Sequence, residues 1–439
     1  MDYQEALAWI HSLYRFGSRP GLERIAALLE RLGDPHKTLR CVHIAGTNGK
    51  GSTAAFLASL LAAHGLRVGL YTSPYLESFT NRMAVDGRDV AEDELVRLME
   101  KVRPHVEEIA ASDLGQPTEF EVITAMAFTY FAAQLPDWVV VEVGLGGRLD
   151  ATNVIAPEVA VVTNIGLEHT QVLGDTVEQI AFEKAGIIKR HVPTVTATDR
   201  LGALEVLKKI AGEREAPLLV VGQDILVDCA SATLHGQFFT YQSPWRKLES
   251  LKIALLGRHQ VVNAACALAA LECLQGIPFA EAAVRSGFAA ARWPGRLEIL
   301  SREPLVLVDG AHNADGVRAL RRALAELLGG RKLHLVLGIL ADKAVEEMLS
   351  LLAPLATASL IVTRPHNERA ADPDAVAELA RAFTHTSVQV AQTVPAAVEM
   401  GLAATGPGEA LCVSGSLYTV SEARAFLFQK LKCSLQKIN

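Results

Sequence analysis

The segment that most constrains the fold is the glycine-rich turn GTNGKGST at residues 46–53, which separates two predicted elements of different periodicity. Residues 40–45 (RCVHIA) form a short apolar run that predicts a buried strand, and a helix is predicted from the turn through Ala63. Apolar strands that alternate with helices are typical of a parallel sheet covered on both faces, so an α/β fold is expected. The alternation continues with predicted strands at 138–143 and 159–163 and predicted helices at 176–188 and 260–275.

From Leu297 onward the alternation becomes more regular and predicts a second, smaller, doubly wound α/β domain. The segment Trp293-Pro294-Gly295-Arg296 interrupts both periodicities and is the expected hinge. The predicted domains are therefore residues 1–296 and 297–439. Strands of the second domain are predicted at 305–308, 333–337, 360–363, 388–391 and 411–414, and helices at 315–328, 343–352, 374–383, 395–404 and 419–431.

The charge balance of the 439-residue chain argues against a nucleic-acid partner. It has 42 Lys and Arg against 49 Asp and Glu, a formal net charge of −7, whereas a dedicated nucleic-acid binder needs a basic face. A local cluster of cations and helix N-termini can still hold a small anion against this global sign. The composition is therefore compatible with a small anionic substrate.

The N-terminus and the cysteines favour a cytoplasmic protein. The first 17 residues lack a basic stretch followed by an apolar run, so no signal peptide is expected. No uninterrupted apolar run approaches the ~18 residues that a membrane span needs. The six cysteines show no CxxC spacing, which fits free thiols in a reducing compartment. A monomer is expected, because no conspicuous apolar surface helix stands out.

The glycine-rich turn has the chemistry of a phosphate-binding loop. Its glycines let backbone N–H groups turn toward an anion, and the N-terminus of the following helix adds positive potential. Lys50 can reach the β- and γ-phosphates of a nucleotide, and the Ser52 or Thr53 hydroxyl can lie near Mg²⁺. The match to GxxxxGK[ST] is imperfect, since Ile44 stands in place of the first glycine and Gly51 follows the lysine. The alternative is an ordinary glycine-rich turn.

A series of motifs surrounds this loop and extends over essentially the whole chain. They include YTSPYL at 71–76, EVGLGGRLDATN at 142–153, TNIGLEHTQVLGDT at 163–176, EKAGIIK at 183–189, GRHQVVNA at 257–264, PGRLE at 294–298, DGAHN at 309–313 and SGSLY at 414–418. In number and order they resemble the folylpolyglutamate synthase/dihydrofolate synthase family of the Mur ligase superfamily. The resemblance implies a P-loop ATPase-like N-terminal domain and a smaller Rossmann-like C-terminal domain.

The resemblance also implies an activity. The family joins an amine to a carboxylate by transferring the γ-phosphoryl group of ATP to the carboxylate, after which the amine displaces phosphate. L-Glutamate would be added to folate, to dihydropteroate or to both. Phosphoryl transfer needs positioning and charge neutralisation, and Lys50 is expected to neutralise the transferring group. The implied ATP loop consists of Gly46, Thr47, Asn48, Gly49, Lys50, Gly51, Ser52 and Thr53.

By the same resemblance, two Mg²⁺ ions are expected, with Ser73, Glu142 and His169 as ligands. Glu142 ends an apolar strand, where a carboxylate suits a hard cation. The matching lysine of related enzymes is carbamylated and supports a metal site, which implies a CO₂-derived carbamate on Lys184. The alternatives are a surface role for Glu142, a structural role for His169 and an ion pair of Lys184 with Glu183.

Further ATP contacts are implied for Asn263, Arg296 and Asp309. His312 lies just before a predicted helix, where it could meet a phosphate or the transition state. Closure about residues 293–297 is expected to assemble the site and exclude water. The structural alternatives are helix capping by Asp309 or Asn313, and a core-facing Asn263 that is satisfied by backbone groups.

The substrate-facing segments implied by the family are Glu119-Phe120-Glu121 and Leu149-Asp150-Ala151. Phe120 offers a ring that can stack on a pterin, and Asp150 offers an acceptor for its amino group. Arg82 could hold a glutamyl carboxylate. On the sequence alone, Phe120 fits a helix core equally well, and Arg82 fits a solvated loop.

Two other functions are carried forward. A peptidoglycan Mur ligase shares the loop and the two-step chemistry, but the chain has no evident separate domain for a UDP-linked substrate before the ATP loop. A non-catalytic ATP-binding regulator is the third hypothesis, and the joint presence of Lys50, Ser73, Glu142, His169 and Lys184 argues against it.

Overall fold

Parallel strands joined through helices form most of the larger sheet, as the apolar runs predict, and two strand pairs at one end of it are antiparallel. The coordinates are a computed structural model that describes residues 1–17 and 20–436. The chain divides into two compact units: one comprises Met1–Asp228, Phe239–Lys252 and Val261–Ala291, and the other comprises Cys229–Phe238, Ile253–Gln260 and Arg292–Asn439. The predicted domain boundary at residue 296 stays a prediction.

The first unit is built on a sheet with the strand order β4-β3-β2-β5-β1-β6-β7-β8. Its strands are β1 (Cys41–Ala45), β2 (Val68–Tyr71), β3 (Met83–Val85), β4 (Arg88–Asp89), β5 (Trp138–Glu142), β6 (Val159–Val162), β7 (Thr194–Thr196) and β8 (Leu218–Val220). β1 pairs in parallel with β5 and β6, and β5 pairs in parallel with β2. The carboxyl ends of these four strands therefore meet at one edge, where ligands bind in open α/β sheets.

Helices cover this sheet and connect its strands. They are α1 (Tyr3–Ser12), α2 (Glu23–Arg31), α3 (Lys50–Ala63), α4 (Glu92–Ala110), α5 (Glu119–Gln134), α6 (Thr170–Leu173), α7 (Val177–Ala185), α8 (Leu201–Glu213), α9 (Arg258–Cys273) and α10 (Glu281–Ala290). The predicted helix at 176–188 is shorter, because the chain leaves the helix at Gly186. Within residues 1–17 and 20–436, no helix combines the length and the hydropathy that crossing a bilayer requires.

A smaller sheet follows β8 and was not predicted. Its strands, in the order β11-β10-β9, are β9 (Leu226–Thr233), β10 (Gly236–Gln242) and β11 (Lys247–Ile253). β9 is largely exposed and contains Asp228, Ser231 and Thr233, so it lacks the continuous apolar run that marks a buried strand.

The C-terminal sheet has the strand order β12-β13-β17-β14-β15-β16 and is parallel except for the β12–β13 pair. A Rossmann-like doubly wound unit was predicted here and is confirmed. Its strands are β12 (Glu298–Arg302), β13 (Leu305–Val308), β14 (Leu333–Leu337), β15 (Ser359–Thr363), β16 (Val388–Ala391) and β17 (Ala410–Ser414), and its helices are α11 (Ala314–Leu327), α12 (Val345–Leu352), α13 (Pro373–Ala380), α14 (Val394–Ala404) and α15 (Leu417–Gln436).

Two glycines bring the segment after β5 against the C-terminal end of α7. A Cβ at Gly147 would lie 2.8 Å from the carbonyl oxygen of Glu183, and a Cβ at Gly186 would overlap Arg148 Cα. Arg148 reinforces the contact, because its backbone N–H donates to Glu183 O at 2.7 Å and its guanidinium pairs with the Glu183 carboxylate at 2.9 Å. This packing places Lys184, the next residue of α7, at the edge of the sheet where the strands end.

The close approach at Gly186 can be tested by Gly186→Ala. The added methyl group meets backbone atoms, so we expect a loss of about 1–3 kcal/mol in the free energy of unfolding. Gly212→Ala in α8 is the matched control, because a Cβ there meets nothing within 4 Å and should stabilise the helix by about 0.5–1 kcal/mol. Urea denaturation measures both variants. Equal stability changes in the two would contradict the packing described.

Candidate active site

The turn between β1 and α3 closes tightly over the N-terminus of the helix. Gly46 and Gly49 have φ angles of 148° and 85°, in a region that favours glycine. A Cβ at Gly46 would overlap Thr163 Oγ1, and a Cβ at Gly49 would overlap Asn263 Oδ1. Asn263 lies in the second turn of α9, and its side chain reaches this turn. Glycine is therefore required twice, for its φ angle and for the space it leaves.

Two lysine ammonium groups bind one carbonyl oxygen of this turn. Lys50 Nζ donates to Gly46 O at 3.1 Å and to Thr47 O at 3.2 Å, and Lys184 Nζ donates to Gly46 O at 3.0 Å. Lys184 is only 4% exposed. Burial, and next the charge of Lys50, lower the pKa of Lys184 to about 7, although Glu168 opposes this shift. The turn thus concentrates positive charge where the first turn of α3 presents its N–H groups, which suits an anion.

The loop after β6 holds the other side of the turn. Thr47 N–H donates to Asn164 O at 2.9 Å, and Asn48 N–H donates to Asn164 Oδ1 at 2.7 Å. Gly166 N–H donates to Thr47 Oγ1 at 3.0 Å. Sequence reasoning quoted this loop as a motif but assigned Asn164 no role. The signal was its place directly after an apolar strand, at the edge where ligands bind.

A small cavity lies beneath the two lysines. The segment after β5 forms one wall, and the start of α6 forms another. His169 precedes α6 with φ of 53°, which is the left-handed region. The lining residues are Gly46, Lys50, Val143, Gly144, Leu145, Gly146, Glu168, His169, Leu173 and Lys184. The structure therefore brings together three residues predicted from separate motifs, namely Lys50, His169 and Lys184.

Oxygen donors suitable for a hard cation lie at the ends of β2 and β5. Glu142 is the last residue of β5 and is 4% exposed, and its Oε2 accepts from the backbone N–H of Ser73 at 3.2 Å. Thr53 Oγ1 is buried and has no hydrogen-bond partner among residues 1–17 and 20–436. Carboxylate and hydroxyl oxygens of this kind fit Mg²⁺. In the same residues no cluster of three His, Cys, Asp or Glu side chains could hold a metal. The metal-ligand roles of Ser73, Glu142 and His169 stay predictions.

The predicted substrate segment at the start of α5 has mixed surroundings. The Phe120 ring stacks on Tyr71 at 6.3 Å between centroids and lies so close to Gly144 that a Cβ there would overlap it. Glu119 Oε1 lies 2.9 Å from His11 Nδ1. Glu121 is 3% exposed, and its Oε2 accepts from Thr118, which caps the helix, and from Arg24. Of the three predicted residues, Phe120 keeps a part-exposed ring beside the segment after β5.

Hydrogen bonds from residues on both sides of it in the sequence fix the Asp150 carboxylate. Its Oδ2 accepts from Leu145 N–H at 2.8 Å, and its Oδ1 accepts from Thr152 N–H at 3.0 Å and from Thr152 Oγ1 at 2.5 Å. Burial raises the pKa of Asp150, and these hydrogen bonds oppose the shift. Leu149 is partly buried and Ala151 is buried. Arg82 lies over the Tyr75 and Phe79 rings at 5.2 and 5.4 Å. The substrate roles of these residues stay predictions.

In the second unit, the loop after β13 gathers the other predicted ATP residues. Asp309 accepts from Leu297 N–H at 2.8 Å and from Ala311 N–H at 2.9 Å, and burial raises its pKa against the opposing charge of Arg296. His312 Nδ1 lies 2.8 Å from Gly310 O. His259 was not assigned a role, and burial followed by the charge of Arg296 lowers its pKa to about 4. The ATP contacts of Arg296, Asp309 and His312 stay predictions.

Two family models match the chain. The Mur ligase middle domain matches residues 44–271, and the Mur ligase glutamate ligase domain matches residues 295–417. The dihydrofolate synthase/folylpolyglutamate synthase of Bacillus subtilis (strain 168) is 38% identical over 96% of this chain and 98% of its own length.

Solved structures agree with these matches. Mycobacterium tuberculosis folylpolyglutamate synthase complexed with ADP superposes with a TM-score of 0.91 at 34% identity, over 97% of this chain and 99% of that one. Escherichia coli FolC in complex with DHPP and ADP gives a TM-score of 0.86 at 30% identity, over 97% and 98% of the two chains. The fold and the site thus define an ATP-dependent ligase of the Mur type. Within that class, the chain belongs to the dihydrofolate synthase/folylpolyglutamate synthase family.

The requirement for glycine in the turn can be tested by Gly49→Ala. A non-glycine residue at this φ costs about 1–2 kcal/mol, and the overlap with Asn263 adds to it, so we expect the Kd for ATP to rise about tenfold or more. Gly65→Ala is the matched control, because Gly65 has φ of 80° and its Cβ would meet nothing within 4 Å. The control should lose stability but keep its affinity, as measured by isothermal titration calorimetry. Unchanged ATP affinity in Gly49→Ala would refute the requirement.

Proposed function

We propose that this chain joins L-glutamate to the carboxylate of a pteroyl acceptor, either folate, dihydropteroate or both, and converts ATP to ADP and phosphate in doing so. The observation that carries the proposal is the convergence of Lys50 and Lys184 on the Gly46 carbonyl above the cavity that Glu168 and His169 also line. The Lys50 ammonium group at the N-terminus of α3 suits the phosphates of a nucleoside triphosphate. The names and bound ligands of the relatives supply the acceptor class.

The reaction has two steps. An acceptor carboxylate oxygen attacks the γ-phosphorus of ATP, the bond to the β-phosphate oxygen breaks, and ADP leaves. The neutral amine of glutamate then attacks the acyl carbon, phosphate leaves with the C–O electron pair, and the amine loses a proton. Lys50 neutralises charge on the transferring phosphoryl group, and the first turn of α3 presents backbone N–H groups to the phosphates.

Ser73, Glu142 and His169 are the residues proposed to hold Mg²⁺, and a carbamate on Lys184 is proposed to support a second ion. Bound Mg²⁺ would neutralise phosphate charge. The ammonium of unmodified Lys184 does not bind a cation, but its pKa of about 7 leaves a substantial fraction as neutral amine at physiological pH. A neutral amine can add CO₂. The burial of Lys184 therefore favours the modification.

The acceptor is proposed to lie beside Phe120 and the segment after β5. The ring is fixed by Tyr71 on one side and by Gly144 at its edge, so it offers a rigid surface to a planar pterin. Arg82 lies among aromatic rings and retains a charge suited to a glutamyl carboxylate. We further propose a cytoplasmic monomer.

The function can be tested by measuring ADP release with dihydropteroate and with a reduced folate in parallel, each with and without glutamate. We expect ADP only when an acceptor and glutamate are both present. Lys50→Ala should lower kcat by about 10²–10³, since it removes a cation from the phosphoryl site. Lys37→Ala is the control, because that lysine is 66% exposed and pairs with Asp34 at the surface. Normal ATP binding without acceptor-dependent ADP release would favour a regulator, and activity only with a UDP-linked acceptor would favour a peptidoglycan ligase.

Carbamylation of Lys184 predicts a dependence on CO₂ and pH. The ammonium form cannot react with CO₂, so in limiting bicarbonate the activity should rise as the pH increases through about 7, the pKa of Lys184. Excess bicarbonate should shift this rise to lower pH. Lys184→Ala should be inactive and partly restored by short carboxylates. Native mass spectrometry should show one added CO₂ on the wild type and none on the variant. Activity unaffected by removing CO₂, with no added mass, would eliminate the carbamate.

A further inference from the structure

A buried chain of hydrogen bonds joins the central strand of the larger sheet to the segment after β5. His43 lies in the middle of β1 and has no exposed surface, and its Nε2 lies 2.8 Å from Thr152 Oγ1. Thr152 is also fully buried, and its Oγ1 lies 2.5 Å from Asp150 Oδ1. Neither His43 nor Thr152 was predicted to act in the site. The chain connects the interior of the sheet to a carboxylate at its functional edge.

The direction of the hydrogen bonds follows from the surroundings of Asp150. Two backbone N–H groups, those of Leu145 and Thr152, donate to its carboxylate and favour the ionised form. An ionised Asp150 can only accept, so the single hydroxyl proton of Thr152 points to it. Thr152 Oγ1 must then accept from His43 Nε2. His43 is therefore a neutral imidazole that carries its proton on Nε2.

The opposite direction is disfavoured by the surroundings of His43. If Asp150 were protonated and donated to Thr152, Thr152 would donate to Nε2 and the imidazole proton would lie on Nδ1. His43 Nδ1 is buried and has no hydrogen-bond partner in the part of the chain that the structure describes. A buried N–H without an acceptor is costly, and such groups are rare. Burial, aided by the charge of Lys189, also lowers the pKa of His43 to about 3, so the ring stays neutral at physiological pH.

Asp150, the carboxylate at the end of this series of hydrogen bonds, holds the segment at residues 144–146 in place. Asp150 Oδ2 holds the backbone of Leu145, and Gly144, Leu145 and Gly146 form one wall of the cavity beneath the two lysines. On its other side, Gly144 lies against the ring of Phe120. The segment therefore separates the phosphate side of the site from the proposed acceptor side. A shift of Asp150 would be felt on both sides.

We propose that His43 and Thr152 are positioning residues that hold Asp150 as an oriented carboxylate and thereby fix residues 144–146 between the acceptor and the cavity. This inference rests on the proposed ligase function for its kinetic consequences only. Neither residue touches the reacting groups in this account, and both act through Asp150. Two apolar side chains in place of His43 and Thr152 could fill the same space, but they would donate no hydrogen bond to the Asp150 carboxylate.

The kinetic test compares Thr152→Val with Thr152→Ser. Valine has the shape of threonine but no hydroxyl, whereas serine restores the donor. For Thr152→Val we expect the KM for the pteroyl acceptor to rise about tenfold, the effect of losing one hydrogen bond to a charged group. The kcat should fall, and the KM for ATP should stay unchanged because the 46–53 turn is intact. Thr152→Ser should behave like the wild type. A lower Tm in Thr152→Val with every kinetic constant unchanged, or no rescue by serine, would overturn the proposal.

The second test measures the protonation of the two His43 ring nitrogens by NMR and does not depend on activity. In ¹⁵N-histidine-labelled wild type, the signal absent from His43→Gln belongs to His43. We expect it to show a protonated Nε2 and a bare Nδ1 that do not change between pH 5 and pH 8. A protonated Nδ1, or titration in this range, would overturn the assigned direction. If the wild type releases no ADP with either pteroyl acceptor, the proposed function fails, while the NMR result still decides the hydrogen-bond chain.

Discussion

The carbonyl oxygen of Gly46 is the point on which the site depends. It accepts hydrogen bonds from Lys50, which begins the helix after the turn, and from Lys184, which comes from a helix more than a hundred residues later. The turn can present this oxygen because Gly46 adopts a φ of 148° and leaves room for Thr163. Burial lowers the pKa of the Lys184 ammonium group, and repulsion by the charge of Lys50 lowers it further. An anion bound beside Lys50 would neutralise the charge of its ammonium group, so the N-terminus of α3 suits a phosphate.

Glycines and buried polar groups together hold the segment after β5. Gly147 and Gly186 allow the backbone of this segment to approach α7. The Asp150 carboxylate accepts hydrogen bonds from the backbone N–H of Leu145 and from the hydroxyl of Thr152. The two glycines determine where Lys184 lies, and the hydrogen bonds of Asp150 determine where the wall of the cavity lies. Polar groups buried at this density rigidify a site only if they are satisfied. The arrangement thus links the stability of the sheet to the geometry of the site.

Much of the fold was predictable from apolar periodicity. The strands at 305–308 and 333–337 have the predicted bounds, because they are fully buried and mainly apolar, as strands of parallel sheets are. The edge strand at 388–391, which is only partly buried, also has the predicted bounds. The small sheet at 226–253 was missed because buried and exposed residues are interspersed in its strands, which therefore carry no continuous apolar run. In the site, Lys50 and Lys184 were found from motifs and lie together. The only signal for Asn164 was its place after an apolar strand, and Thr152 was assigned no role. Glu121 pairs with Arg24, a contact that their separation in the chain conceals.

By itself, the sequence determined the α/β class, the glycine-rich turn and the family, because each of these is encoded by short contiguous segments of residues. Only the tertiary structure decided that two lysines bind one carbonyl, that Asn263 reaches Gly49 from within a helix, and that His43, Thr152 and Asp150 form one directed chain. The physical reason is that a hydrogen bond depends on distances of about 3 Å between atoms, and residues far apart in the chain reach them only when the strands align in one sheet.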